Sequence, residues 1–159
     1  MKKMHRVGQV RNLFVVAWLI LAIGVVGCAP IQLIAPYDQK TDEGVTNLQK
    51  MTAQFFTRIE RQGGSTPDDY KNQTKFYDDA RVALSGVLVR SQALAQNDLT
   101  VQQIEILQQQ FQKLEQDHKT MGISQAMVPQ LEKAFNRTFT AILTLEVAKK
   151  EPKQEGSRK

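Results

Sequence analysis

The chain predicts an all-α protein, an antiparallel four-helix bundle with up-down-up-down connections, and three observations carry that expectation. Four stretches between residues 38 and 150 repeat apolar side chains at spacings of three and four. The breaks between them are short and hold the Gly, Pro, Ser and Asn that stop helices. No segment alternates apolar and polar residues as a half-buried strand does. Short connections between long helices favour antiparallel neighbours, hence the up-down order.

The first stretch runs from about Asp38 to Gln62, with Asp42 and Glu43 placed favourably for the helix dipole. Val45, Leu48, Thr52, Phe55 and Ile59 form its stripe, supported by Met51 and Phe56, and Gly63-Gly64-Ser65 ends it. The second opens on Thr66-Pro67-Asp68-Asp69, an N-cap threonine followed by a proline and an acid. Tyr77, Ala80, Leu84, Val87 and Leu94 make its stripe, with Gln73 and Ser91 as polar interruptions. Gly86 weakens this helix by up to about 1 kcal/mol relative to Ala and marks a place for close helix approach or a kink. The third is expected to begin at Thr100, with Gln103 as capping partner, and to end at Gly122. Its stripe is Val101, Ile104, Leu107, Phe111, Leu114 and His118. The fourth begins near Ser124 or Pro129 and reaches Lys150, lined by Leu131, Phe135, Phe139, Ile142 and Leu145, before Pro152.

At 159 residues the chain has room for one such domain and an appendage, and the appendage comes first. Lys2, Lys3, Arg6 and Arg11 supply four of the five net positive charges, so residues 29–159 carry only +1. That balance lacks the basic face a nucleic-acid partner requires. Leu13 to Val26 is an unbroken run of 14 apolar or small residues. As a helix it would span about 21 Å, short of the ~30 Å hydrocarbon core of a bilayer. A positive leader followed by a short apolar run is the pattern of a cleaved secretory signal.

That run closes on Val25-Val26-Gly27-Cys28, and Cys28 is the only cysteine. The four residues resemble the lipobox of bacterial lipoproteins. The resemblance implies cleavage between Gly27 and Cys28, a diacylglyceryl group on the Cys28 sulfur, and acylation of the new amine. It makes the lipid bilayer the first partner. Ala29, where an aspartate would imply inner-membrane retention, implies the outer membrane and its periplasmic leaflet. Each buried methylene contributes roughly 0.8 kcal/mol, and two or more chains anchor stably. With its one cysteine so used, the domain forms no disulfide and depends on packing alone.

The expected organisation is a signal peptide at 1–27, the lipidated cysteine and a tether at 28–37, the helical domain at 38–151 and a basic tail at 152–159. Pro30 and Pro36 and the lack of helical period mark the tether, which reaches about 30 Å when extended. Ile31, Leu33 and Ile34 leave open whether it instead packs on the domain or rests at the membrane interface.

Helical bundles often house cofactors, and the chain offers few ligands for one. A di-iron centre needs two Glu-x-x-His pairs. Glu115 and His118 make one, and His5, the other histidine, leaves with the signal. A haem would draw on His118 with Met51 or Met121, and the Cys-x-x-Cys-His of covalent haem is absent from the sequence. A Ser/His/Asp triad could only use His118, and no Gly-x-Ser-x-Gly elbow accompanies it. Asp68-Asp69 and Asp78-Asp79 are adjacent on a helix and so point about 100° apart. The expectation is a protein that is not an enzyme and uses no cofactor or metal, with His118 at the wet end of a stripe.

Residues 102–112 hold six glutamines, which make Gln102, Gln103, Gln109 and Gln110 a candidate partner face. The terminal Arg158-Lys159 resembles, over two residues only, the end through which the murein lipoprotein is joined to peptidoglycan, and implies a cell-wall link at Lys159. The reading is an outer-membrane-anchored periplasmic lipoprotein, a non-catalytic binding or structural component that contacts another envelope protein. The alternatives are a small-ligand or haem carrier and a cell-wall tether through Lys159.

Overall fold

The structure, a computed structural model, describes residues 34–150. Gly27 and Cys28 of the lipobox, the signal peptide, tether residues 28–33 and the tail with Lys159 lie outside the described residues. Four long helices dominate: α1 (Gln39–Arg61), α2 (Thr74–Gln92), α3 (Asp98–Met121) and α4 (Val128–Lys150). The class is all-α. Each helix packs on two others, α1 on α2 and α4, and α3 on α2 and α4. Among the described residues no helix is long and apolar enough to cross a membrane.

The expected stripes converge on one core, except that Leu94, which falls beyond α2, Val101 and Leu145 are only half-buried and lie outside it. Val45, Leu48, Phe55, Phe56 and Ile59 of α1 meet Tyr77, Ala80 and Leu84 of α2 in its interior. From α3 come Ile104, Leu107, Phe111 and Leu114, and from α4 Phe135, Phe139 and Ile142. An aromatic column runs through it. Phe55 stacks on Phe76 at 4.0 Å, and Phe111 meets the ring of Phe135 edge-on at 4.9 Å. Such pairs add about 0.5–1.5 kcal/mol each beyond their buried area.

Helix starts show where local chemistry and tertiary packing differ. Asp38, the expected start of the first helix, is its cap, accepting from the Thr41 N–H at 3.1 Å and the Thr41 hydroxyl at 2.7 Å. The capping box at Thr66 forms too, the Asp69 carboxylate accepting from the Thr66 N–H at 2.8 Å. It opens a 3₁₀ helix, Pro67–Gln73, and α2 proper starts only at Thr74. The expected start of α3 at Thr100, with Gln103, is corrected. The helix begins at Asp98, and Thr100 is buried inside its first turn. Thr100 bonds side chains of α4, so a tertiary contact takes the hydroxyl that a cap would have used. A 3₁₀ turn, Gln125–Met127, precedes α4.

Two further expectations are corrected. The chain does contain a β pairing: β1 (Gly64–Ser65) runs antiparallel to β2 (Ile123–Ser124). Two-residue strands are too short to leave an alternating pattern in sequence. Close helix approach occurs at Gly44 rather than Gly86. A Cβ added to Gly44 would fall 2.6 Å from a Val87 methyl, whereas one on Gly86 meets nothing within 4 Å. Gly122 does stop α3. Its φ of 76° suits glycine, and a Cβ there would lie 2.2 Å from the Ser65 carbonyl oxygen.

Phe111→Ala should lower unfolding stability by about 3–5 kcal/mol, read from the urea midpoint, because the ring is held by both α2 and α4.

Candidate functional site

Polar groups are buried at both ends of the helices. The first cluster is built on His118, whose place at the end of the α3 stripe carries it inward. It is 0% exposed, which corrects the expected wet position. Ser65 of β1 approaches its Nε2 at 2.6 Å, and the Tyr77 hydroxyl of α2 approaches Nδ1 at 2.8 Å. A hydroxyl both donates and accepts, so the neutral ring is satisfied in either tautomer. The β1–β2 pairing sets Ser65 in reach, and that pairing in turn depends on the turn at Gly122.

Around this histidine lies a layer of charge. The Tyr70 hydroxyl donates to Glu115 at 2.7 Å, and Arg81 and Lys119 each reach the same carboxylate at 2.8 Å. Burial opposes ionisation of Glu115, but the bonds from Lys119, Tyr70 and Arg81 keep its carboxyl below the ordinary range. Burial, then the charge of Glu115, raises the Tyr77 phenol. Burial also lowers the His118 pKa, opposed by the negative charge of Asp69.

The Ser65–His118 pair has the spacing of a nucleophile and its base, with a tyrosine where a triad places a carboxylate. The neighbouring cavity of about 80 Å³ is lined by Tyr77, Arg81 and Glu115, not by Ser65 or His118. A fully buried imidazole clamped between two hydroxyls holds three elements together: β1, α2 and α3.

The second cluster lies at the other end of α3, about 27 Å away along the helix axis. Glu146 of α4 is 0% exposed and bonds Lys149, which is 7% exposed. The Lys149 ammonium also donates to Asn97 Oδ1 at 2.6 Å and Thr100 Oγ1 at 2.9 Å, so its three protons are all engaged. Asn97 donates in turn to the Ser91 carbonyl at 2.9 Å. Glu146 Oε2 and Ser91 Oγ are buried without a partner among the described residues.

A cavity of about 250 Å³ opens over this network, lined by Asn97, Leu99, Thr100, Leu145, Lys149 and Ile34 among others. The chain enters the domain beside it. Ala35 is buried and donates its N–H to the Gln96 carbonyl at 3.1 Å. Arg90 grips Asp38 through two nitrogens, one at 2.7 Å, and this lowers the Asp38 pKa to about 2. Asp42 accepts from Tyr37 at 2.8 Å and from Lys150 at 2.9 Å. The last residues of the expected tether therefore lie against the domain.

Gln102, Gln103, Gln109 and Gln110 make no side-chain hydrogen bond to either cluster among the described residues. Gln102 and Gln109 are exposed, while Gln103 and Gln110 are half-buried one row inward, and Gln110 Oε1 is buried without a partner. Met121 is 64% exposed and Met51 packs on the core. Among the described residues no group of three metal-ligating side chains converges. Sequence reasoning missed Ser65, Tyr77, Asn97, Thr100, Glu146 and Lys149. The one local signal was the Glu146-x-x-Lys149 spacing, which places both on one side of a helix. Comparison with known protein families, curated sequences and solved structures gives no match.

Two predictions follow from these geometries. A histidine with a lowered folded pKa binds its proton more readily in the unfolded chain. Stability is thus full above about pH 6.5 and falls as the pH drops toward the folded value. The depressed carboxylates act only at lower pH. The urea midpoint should drop between about pH 7 and pH 5, and His118→Gln should flatten that drop. NMR titration of the wild-type ring checks the sign directly. At the other cluster, Lys149→Ala should cost about 3–5 kcal/mol in a denaturation curve, because it strands a buried carboxylate. The double variant Glu146→Leu with Lys149→Met should recover most of that loss.

Proposed function

We propose that this chain is a bacterial lipoprotein, anchored through acyl chains on Cys28 in the outer membrane and facing the periplasm. Its helical domain is a non-catalytic binding or structural component of the envelope that contacts another envelope protein. The observation that carries the reading is the position of Cys28, the only cysteine, directly after a 14-residue apolar run with a positive leader. Only a thiol forms the thioether that such anchoring needs.

The helices in this reading form an antiparallel up-down-up-down bundle. Hydrogen bonds that join the start of α1, the α2–α3 connection and the end of α4 support that order. So does the β1–β2 pairing between the ends of α1 and α3. The non-catalytic role is supported by the two polar clusters, whose groups bond chiefly to one another.

Cys28→Ala should leave the signal uncleaved and the protein in the inner-membrane fraction. Intact mass and membrane fractionation read both effects. Normal processing and sorting of that variant would overturn the proposal. Crosslinking in living cells, followed by mass spectrometry, should return one dominant envelope protein.

A further inference from the structure

We infer that the end of the domain where the chain enters is a membrane-contact face, and that its cavity receives acyl chains of the bilayer surface. This rests on the anchoring of Cys28 proposed above. Six residue steps lead from Cys28 to Ile34, so the backbone at Ile34 can stand no more than about 22 Å from that of the anchored cysteine. The surface around Ile34 is therefore the part of the domain held nearest the bilayer.

That surface is built for hydrocarbon. Ile34 and Leu99 line the cavity and are 45% and 65% exposed, an open apolar pair joined by Leu145 and Ala148. The volume of about 250 Å³ exceeds the 150 Å³ apolar cavity that accepts benzene, yet falls below the 300 Å³ at which most small-molecule sites begin. It suits part of a chain rather than a whole ligand. The nearby charges are largely cancelled within the protein: Arg90 by Asp38, Lys150 by Asp42 and Lys149 by Glu146. Neutralised groups give up less hydration when lipid covers them. Asp98 also lines the cavity and takes part in no ion pair among the described residues. It sits in the first turn of α3, where the helix dipole favours an acid, and at a bilayer it would stay among the headgroups. Other exposed apolar side chains, such as Val82 at 73%, line neither of the two cavities described above.

The test uses tryptophan. Trp18 is the only one in the chain and leaves with the signal, so an introduced indole is the sole emitter of the processed protein. Leu99→Trp and, as control, Val82→Trp are expressed as full chains, purified from membranes and placed in phosphatidylcholine–phosphatidylglycerol vesicles with or without brominated acyl chains. Leu99→Trp should emit to the blue and lose its emission several-fold with brominated lipid, while Val82→Trp emission stays unchanged. Equal quenching at both positions, in protein whose intact mass shows acylated Cys28, overturns the contact face and leaves the anchor standing. A bare thiol at Cys28 overturns the anchor, and the contact face with it.

Discussion

The domain depends on four apolar stripes closing on one another without a covalent cross-link. Hydrophobic burial of this kind is strong but poorly directional. It tolerates a helix sliding along its neighbour, because leucine and phenylalanine faces offer similar contacts at each turn. Register must come from elsewhere, and the buried polar clusters supply it. A slide of α4 by one turn, about 5.4 Å, would carry Lys149 away from Asn97 and Thr100. At the other end the same displacement of α3 would take His118 from Ser65 and Tyr77. Each loss would leave buried groups unbonded, at about 1–3 kcal/mol or more per group.

The two clusters differ in what they tie. The histidine joins β1 to two helices through neutral hydroxyls, and its contribution falls as the pH drops below the ordinary range of a histidine. The lysine–glutamate cluster joins α4 to the α2–α3 connection with charges of both signs. The histidine end of the domain is thus sensitive to mild acid.

Much of the fold was legible because it is written in short-range repeats. The stripes of Val45 to Ile59 and Ile104 to Leu114 follow helical spacing, and each lines the core. The cap at Thr66 was legible for the same reason, since donor and acceptor are three residues apart. Thr100 shows where such reasoning stops. Its sequence neighbours spell a capping box, but its hydroxyl is taken by Glu146 and Lys149, 46 and 49 residues away. His118 fails for a related reason: its partners at 65 and 77 lie on other elements, and nothing local announces them. A histidine on an apolar stripe is buried when distant hydroxyls happen to satisfy it. Pairing of that kind belongs to the tertiary fold.

The arrangement at the chain's point of entry bears on how a lipid-anchored domain would carry load. Under the proposed anchoring, any pull between bilayer and domain reaches Ile34 and acts along the start of α1. A helix tethered only by its own terminal turn would fray from that end. Here the pull is shared. Ala35 is bonded to Gln96, Asp38 to Arg90 near the end of α2, and Asp42 to Lys150 at the end of α4. Force entering at Ile34 is therefore passed to three elements before it reaches the core, and the cap on α1 is also the residue that Arg90 holds. The same carboxylate that starts the helix secures it to its neighbour, so the helix start and its attachment fail together or not at all.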